Sequence, residues 1–278
     1  MDTTCDHATR GGMPSRVRGG TSSGPFGPDA PLSYWSSSSV EADVTFLYSD
    51  GTGELQPGEI EGLIAQLAER LPGYDPAQYF ASQPGIFTRY EHLVVAQGSD
   101  DGRAAGLLGA RWFDDGDLRF LYLWTGIVAA EVQKRHLTQR MFRYLMRKVL
   151  EVRPRPEVIA AKTYSPLWYK VMSRLAGSIP GASLYPRLGL PQDAALTALA
   201  TRVHRQVAPT LEMLTGSGVI LGAQAVVGPD FFPLARPLSG NPDLDRFFEE
   251  NVSRDDQVLT IIDARNIEDS EFARIFQK

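Results

Sequence analysis

Ile127-Val-Ala-Ala-Glu-Val-Gln-Lys-Arg-His-Leu-Thr138 lies between two unlike patterns. Before it, Asp117 to Val128 is rich in β-branched and aromatic residues and reads as a strand. After it, His136 to Val152 reads as a helix, with Leu137, Met141, Leu145 and Val149 on one face and Phe142, Met146 and Leu150 widening it. The junction is therefore a strand, a short polar loop and a long helix. The first N–H groups of such a helix have no intrahelical acceptor and carry partial positive charge. A turn of this kind suits a pyrophosphate, and Lys134 and Arg135 add charge to it. Neither Walker nor Rossmann glycines accompany it, so nucleoside triphosphates and dinucleotides lose their usual support.

Upstream, His92 to Gln97, Gly106 to Phe113 and Asp117 to Val128 are separated by Asp100-Asp-Gly102 and Asp114-Asp-Gly116, both hairpin signals. They predict an antiparallel meander. Val44 to Tyr48 reads as an earlier strand, closed by Ser49-Asp-Gly-Thr-Gly53. Ile60, Leu63, Ile64, Leu67 and Leu71 recur at helical spacing up to Pro72, and Asp75-Pro76 opens a short second helix. Downstream, Pro154 and Pro156 stop the long helix. Val158 to Ala161 is a short buried strand, and Pro166 to Ala176 a further amphipathic helix after Ser165. Gln192 to Val207 predicts another helix; Val219 to Val227 and Val258 to Asp263 predict late strands. Repeats and coiled-coil heptads are lacking.

The 278 residues leave room for one large domain or two small ones. A single Cys excludes a disulfide framework and a cysteine zinc cluster. Four histidines without an H-x-x-x-H pair argue against a histidine metal site. Apolar runs fall short of the roughly 18 residues of a membrane span. The first 30 residues show no secretory h-region, so a cytoplasmic protein is the expectation. Residues 1–39 hold six Gly, four Pro and eight Ser, and predict a disordered leader before a single domain over 40–278. The net charge of −5 conceals a segregation: Gln133 to Arg174 holds 11 Lys or Arg against two acids. That local +9 leaves −14 for the remainder, which disfavours general nucleic-acid binding and suits a compact anionic ligand. Arg140, Arg143 and Arg147 are also readable as a solvated helix face.

This order of elements resembles the GCN5-related N-acetyltransferase (GNAT) superfamily, from about His92 to Leu175 and back to Val44. In that family the fourth strand leads into an Arg/Gln-x-x-Gly-x-Gly/Ala loop whose amides hold the pyrophosphate of acetyl-CoA. The matching stretch here is Gln133, Lys134, Arg135, His136, Leu137 and Thr138, with His136 and Thr138 in place of the two glycines. The replacement leaves open a modified CoA site, a carrier-protein acyl donor, or a fold that no longer binds CoA. Thr163-Tyr-Ser-Pro-Leu-Trp-Tyr-Lys-Val-Met-Ser-Arg-Leu175 is similar to the family's fifth strand and fourth helix. Ser165 takes the Asn-like position there, and Tyr169 that of the tyrosine general acid, with Tyr164 as competitor. The resemblance implies an α/β (α+β) fold with a mixed, mostly antiparallel central sheet flanked by helices, and residues 177–218 inserted before the last strands.

What the resemblance implies is acyl transfer from acetyl-CoA, or another acyl-CoA, to an amine of a small molecule. The backbone of Ile127 and Val128 would meet the pantetheine arm and the carbonyl. Glu131, Asp117, Glu91, His92 and His136 are candidates for the remaining polar roles, and none stands out as the base. The alternative is a GNAT-fold protein that binds a ligand or partner without transferring anything.

Overall fold

The strands of the meander are apolar on both faces, as expected of a sheet covered on both sides. The computed structural model describes residues 35–41, 43–51, 55–227 and 236–277. In chain order the elements are β1 (Ser37–Glu41), β2 (Val44–Ser49), α1 (Pro57–Glu69), α2 (Pro76–Ser82), α3 (Ile86–Arg89), β3 (His92–Gly98), β4 (Ala104–Asp115) and β5 (Leu118–Val128). A 3-10 turn (Ala130–Arg135) leads to α4 (Leu137–Val152), β6 (Val158–Thr163), α5 (Pro166–Ser178), β7 (Ser183–Tyr185) and α6 (Ala194–Val207). Then come β8 (Met213–Leu214), β9 (Val219–Ile220), α7 (Ala223–Val227), α8 (Pro242–Asn251), β10 (Gln257–Asp263) and α9 (Asp269–Phe276).

The sheet runs β1-β2-β3-β4-β5-β6-β10-β9-β8, and β7 also pairs with β10. Among the described strands β5 and β6 form the one parallel pair; the other pairings are antiparallel. The fold class is thus a mixed, mostly antiparallel sheet flanked by helices. Helices α4, α5 and α9 cover one face, where Met141, Leu145 and Met172 meet Leu108, Leu121 and Ile159. Helices α1 to α3 cover part of the other face through Leu63, Leu67 and Phe80. Helix α6 covers the rest through Leu199 and Val203. No helix among the described residues is long and apolar enough to cross a membrane.

The structure adds helices α3, α8 and α9, which the sequence reading did not expect, and departs from its expectations elsewhere. Residues 1–34 of the expected leader lie outside the described residues, but its end is ordered: Ser37–Glu41 pairs with β2, and Trp35 is buried against Leu47 and Leu55. Serines seldom signal a strand, but here each faces a β2 residue that supplies the pairing. Val219 to Val227 is not one strand. Gly222 takes a left-handed turn (φ 70°) that ends β9, and α7 follows. A short apolar run cannot by itself separate strand from helix. Within 177–218, β7 joins the sheet beside β10, so part of the expected insertion belongs to the core.

Candidate active site

Strands β5 and β6 part company midway. Their parallel pairing runs from Phe120–Val158 to Leu123–Ala161 and stops, although β5 continues to Val128 and β6 to Thr163. The cause lies on the other side of β5. Gly109 pairs with Thr125 and Ala110 with Leu123, so Trp124 is an extra residue, a β-bulge that bends the strand. Trp124 and Thr125 therefore both reach the face of α2. The Thr125 hydroxyl is bonded there to the Tyr79 hydroxyl (2.8 Å) and the Tyr90 hydroxyl (2.6 Å). Beyond the bulge, Gly126 turns to the α5 face. A Cβ at Gly126 would stand 2.4 Å from the Trp168 ring, so only glycine admits that close approach.

A cavity of about 710 Å³ passes through the sheet at this parting. On the α4/α5 side its wall includes Gln133, His136, Thr138, Gln139, Val171 and Arg174. At the waist are Gly126, Ile127 and Val128 from β5 with Thr163, Tyr164 and Ser165 after β6. On the α2/α6 side it meets Tyr79, Arg111, Phe113, Tyr122, Lys162 and Gln206.

The start of α4 carries a particular backbone. His136 has φ 57° and ψ 24°, the left-handed conformation, and is the one non-glycine residue with positive φ among the described residues. Its side chain makes no capping bond, and its carbonyl takes the Gln139 N–H (3.0 Å) and the Arg140 N–H (3.1 Å), so the amides ahead of these, at Leu137 and Thr138, are the ones a helix start leaves for another acceptor. A residue held this way costs about 1–2 kcal/mol, strain that tends to persist where geometry is needed.

Most of the residues singled out in the sequence meet here. Ile127, Val128, Gln133, His136, Thr138 and Ser165 all line the cavity. Gln133 donates through Nε2 to the Val128 carbonyl (3.2 Å) and ties the turn to the end of β5. The Leu137 side chain packs into the core, so only its backbone faces outward. The side chains of Lys134 and Arg135 lie outside what the structure describes.

Tyr169 is placed differently. Its hydroxyl donates to the Pro186 carbonyl (2.7 Å), its ring packs on Phe248, and it is not among the cavity-lining residues. Burial pushes its pKa up to about 12. The Tyr169 ring thus faces α8, whereas Tyr164 is among the cavity-lining residues, its ring under the Arg236 guanidinium (4.2 Å).

The other polar candidates are engaged elsewhere. Glu131 is paired with Arg70, and its pKa is held down despite a partial desolvation cost. Asp117 pairs with Arg202 (2.6 Å), which lowers its pKa. Glu91 accepts the Trp112 N–H (3.1 Å) and pairs with Arg153 (3.3 Å). His92 is buried between Tyr48 and Trp112. The supposed basic stripe also divides: Arg140 pairs with Glu41 and Asp43, Arg147 with Glu41, and Arg143 is exposed.

Sequence reasoning missed two cations. Lys162 lines the cavity, and burial of its amine lowers its pKa to about 8. Its amine donates one long bond, to the Val207 carbonyl (3.4 Å). Arg111 lies over Phe113 (4.7 Å) and Trp124 (5.5 Å), its buried Nε without a hydrogen-bond partner among the described residues. The available signal was a charged residue inside an apolar strand, in Val-Ile-Ala-Ala-Lys162 and in Gly-Ala-Arg111-Trp.

No family model matches the chain, and no curated protein matches it. Among solved structures it is similar to a proposed acetyltransferase of the GNAT family from Desulfovibrio desulfuricans, at 17% identity and a TM-score of 0.33, over 48% of this chain and 83% of that one. It is also similar to a proposed acetyltransferase from Deinococcus radiodurans, at 21% identity and TM-score 0.27, over 41% and 71%. A third, from Corynebacterium glutamicum and named histone acetyltransferase HPA2 and related acetyltransferase, gives 13% identity and TM-score 0.33 over 55% and 91%.

Proposed function

We propose that this chain transfers an acyl group from a CoA thioester to an amine, with acetyl-CoA as donor and a small molecule as acceptor. One observation supports this above others: the cavity lies where β5 and β6 separate, with the start of α4 (His136, Thr138, Gln139) in one wall and Arg111 and Lys162 in another. A donor entering beside α4 and α5 would place its pyrophosphate on the first amides of α4, with Arg174 nearby. The pantetheine arm would run along the backbone of Gly126 to Val128, which the parting leaves without a strand partner on the β6 side. The left-handed His136 gives the turn the backbone that a glycine would, so the lost glycines do not preclude a pyrophosphate site.

The acceptor approaches from the α2/α6 side. Its ammonium must lose a proton, and Lys162, present in both forms near pH 8, is assigned to take it. The amine nitrogen then bonds to the thioester carbon, the C–S bond breaks, the CoA thiolate leaves, and the second proton lost by the nitrogen as the amide forms restores the acid that protonates the sulfur. We assign the proton for that sulfur to Tyr164 rather than Tyr169, since Tyr164 lines the waist of the cavity. A CoA donor goes with a cytoplasmic location.

Thermal melts with CoA and acetyl-CoA test the reading directly. A ligand that binds only the folded chain stabilises it by RT ln(1 + [L]/Kd). CoA should raise the melting temperature, and acetyl-CoA with an amine panel should release free thiol. No shift at millimolar CoA would remove the donor and leave a noncatalytic binding protein.

A further inference from the structure

The charge lining the cavity is one-sided. It includes Arg111, Lys162, Lys170 and Arg174, and none of the described residues lining it is Asp or Glu. Lys170 and Arg174 belong to α5, on the donor side. Arg111 and Lys162 belong to strands β4 and β6, on the face that α6 covers.

Strand register places these two on one face. Arg111 is opposite Tyr122, Tyr122 is opposite Ala160, and Lys162 is the next residue of β6 on that face, one step nearer the parting. Tyr122 stands between them, its hydroxyl meeting the Lys162 backbone. The Arg111 guanidinium lies over the Phe113 ring (4.7 Å) and the Trp124 ring (5.5 Å), and its buried Nε has no hydrogen-bond partner among the described residues. A buried N–H without an acceptor is costly, and a planar carboxylate can satisfy it together with a neighbouring guanidinium N–H in a bidentate pair.

Building on the acyl-transfer reading, we propose that the acceptor is an amine that also carries a carboxylate: the carboxylate sits on Arg111, the amine points to Lys162 and the strand parting, and an apolar body lies on Phe113 and Trp124.

Calorimetry with two probes tests it: N-acetyl-L-phenylalanine, and N-acetylphenethylamine, which has the same body without the carboxylate. The carboxylate probe should bind at least roughly tenfold more tightly, and Arg111→Gln should erase the difference while Arg111→Lys keeps part of it. Equal binding by the wild-type chain overturns the proposal. So does no binding of the carboxylate probe at millimolar concentration, tighter binding of inorganic phosphate, or a preference that survives Arg111→Gln. CoA titrated in parallel separates the two readings: a carboxylate preference without CoA binding would sink the donor assignment alone.

Discussion

At the scale of single residues, the roles of two tyrosines separate cleanly. Tyr164 lines the cavity, whereas Tyr169 gives its hydroxyl to Pro186. Tyr164→Phe should keep CoA affinity and lose roughly 10²–10⁴-fold in turnover, the range of a positioned general acid. Tyr169→Phe should keep turnover and lose about 1 kcal/mol of stability, the worth of one buried hydrogen bond. Steady-state rates and urea melts of both variants decide it; the opposite pattern returns the acid to Tyr169. Lys162 carries a second prediction. With its pKa near 8, the base form grows as pH rises, so kcat/KM should climb to a plateau above about pH 8. Lys162→Met should abolish that limb and most activity. It should also stabilise the fold at neutral pH by about 1–3 kcal/mol, because a desolvated ammonium is replaced by an apolar chain of similar length. A destabilised Lys162→Met variant with an unchanged pH profile would exclude the base role.

At the scale of elements, the start of α4 was legible because its determinants are local. A polar turn followed by apolar residues at helical spacing sets a helix start, and α4 begins at Leu137, one residue from expectation. The left-handed backbone of His136 was not foreseen; the sequence showed only a histidine where the resembling loop has a glycine. His136→Gly removes the Cβ conflict and adds chain entropy to the unfolded state, so it should raise stability by up to about 1 kcal/mol with CoA binding retained. Denaturant melts check it, and a clear loss of stability would mean that the imidazole packs productively. The bulge at Trp124 left no local mark. Its presence follows from the pairing of β4 with β5, two strands whose alternation alone reads as regular.

At the scale of the whole molecule, one buried group ties three strands together. The Trp112 indole N–H donates to His92 Nε2 (3.0 Å), while His92 Nδ1 meets the Tyr48 hydroxyl (2.8 Å). An indole only donates, so Nε2 must stay an acceptor and the ring neutral. Burial lowers the His92 pKa to about 4, helped by Arg153. The unfolded chain therefore binds the proton first. Stability from this group is full above about pH 6.5 and falls as pH drops towards 4, by an amount on the order of 3 kcal/mol. Asp117 and Glu131, whose pKa values are lowered, lose their contributions at more acid pH. Urea melts from pH 7 to 4 should show the slope in the native chain and not in His92→Gln; the same slope in both would assign it elsewhere.

What the sequence determined by itself was the order of the main elements from Val44 to Leu175, the strand-to-helix turn and the basic segment around it. Those depend on neighbours two to four residues apart, and their periodicity is written along the chain. The divided use of the arginines, the strand formed by Ser37–Glu41 and the cavity itself depended on partners far away in sequence. Glu41 finds Arg140 across 99 residues, and Lys162 reaches the same cavity as Arg111 only because β6 pairs in register with β5, and β5 with β4. A strand pattern states which face a residue takes. Which other residues share that face is set by register, and where two strands part is set by a bulge on the far side of one of them. These are properties of the packed sheet, and only the tertiary structure supplies them.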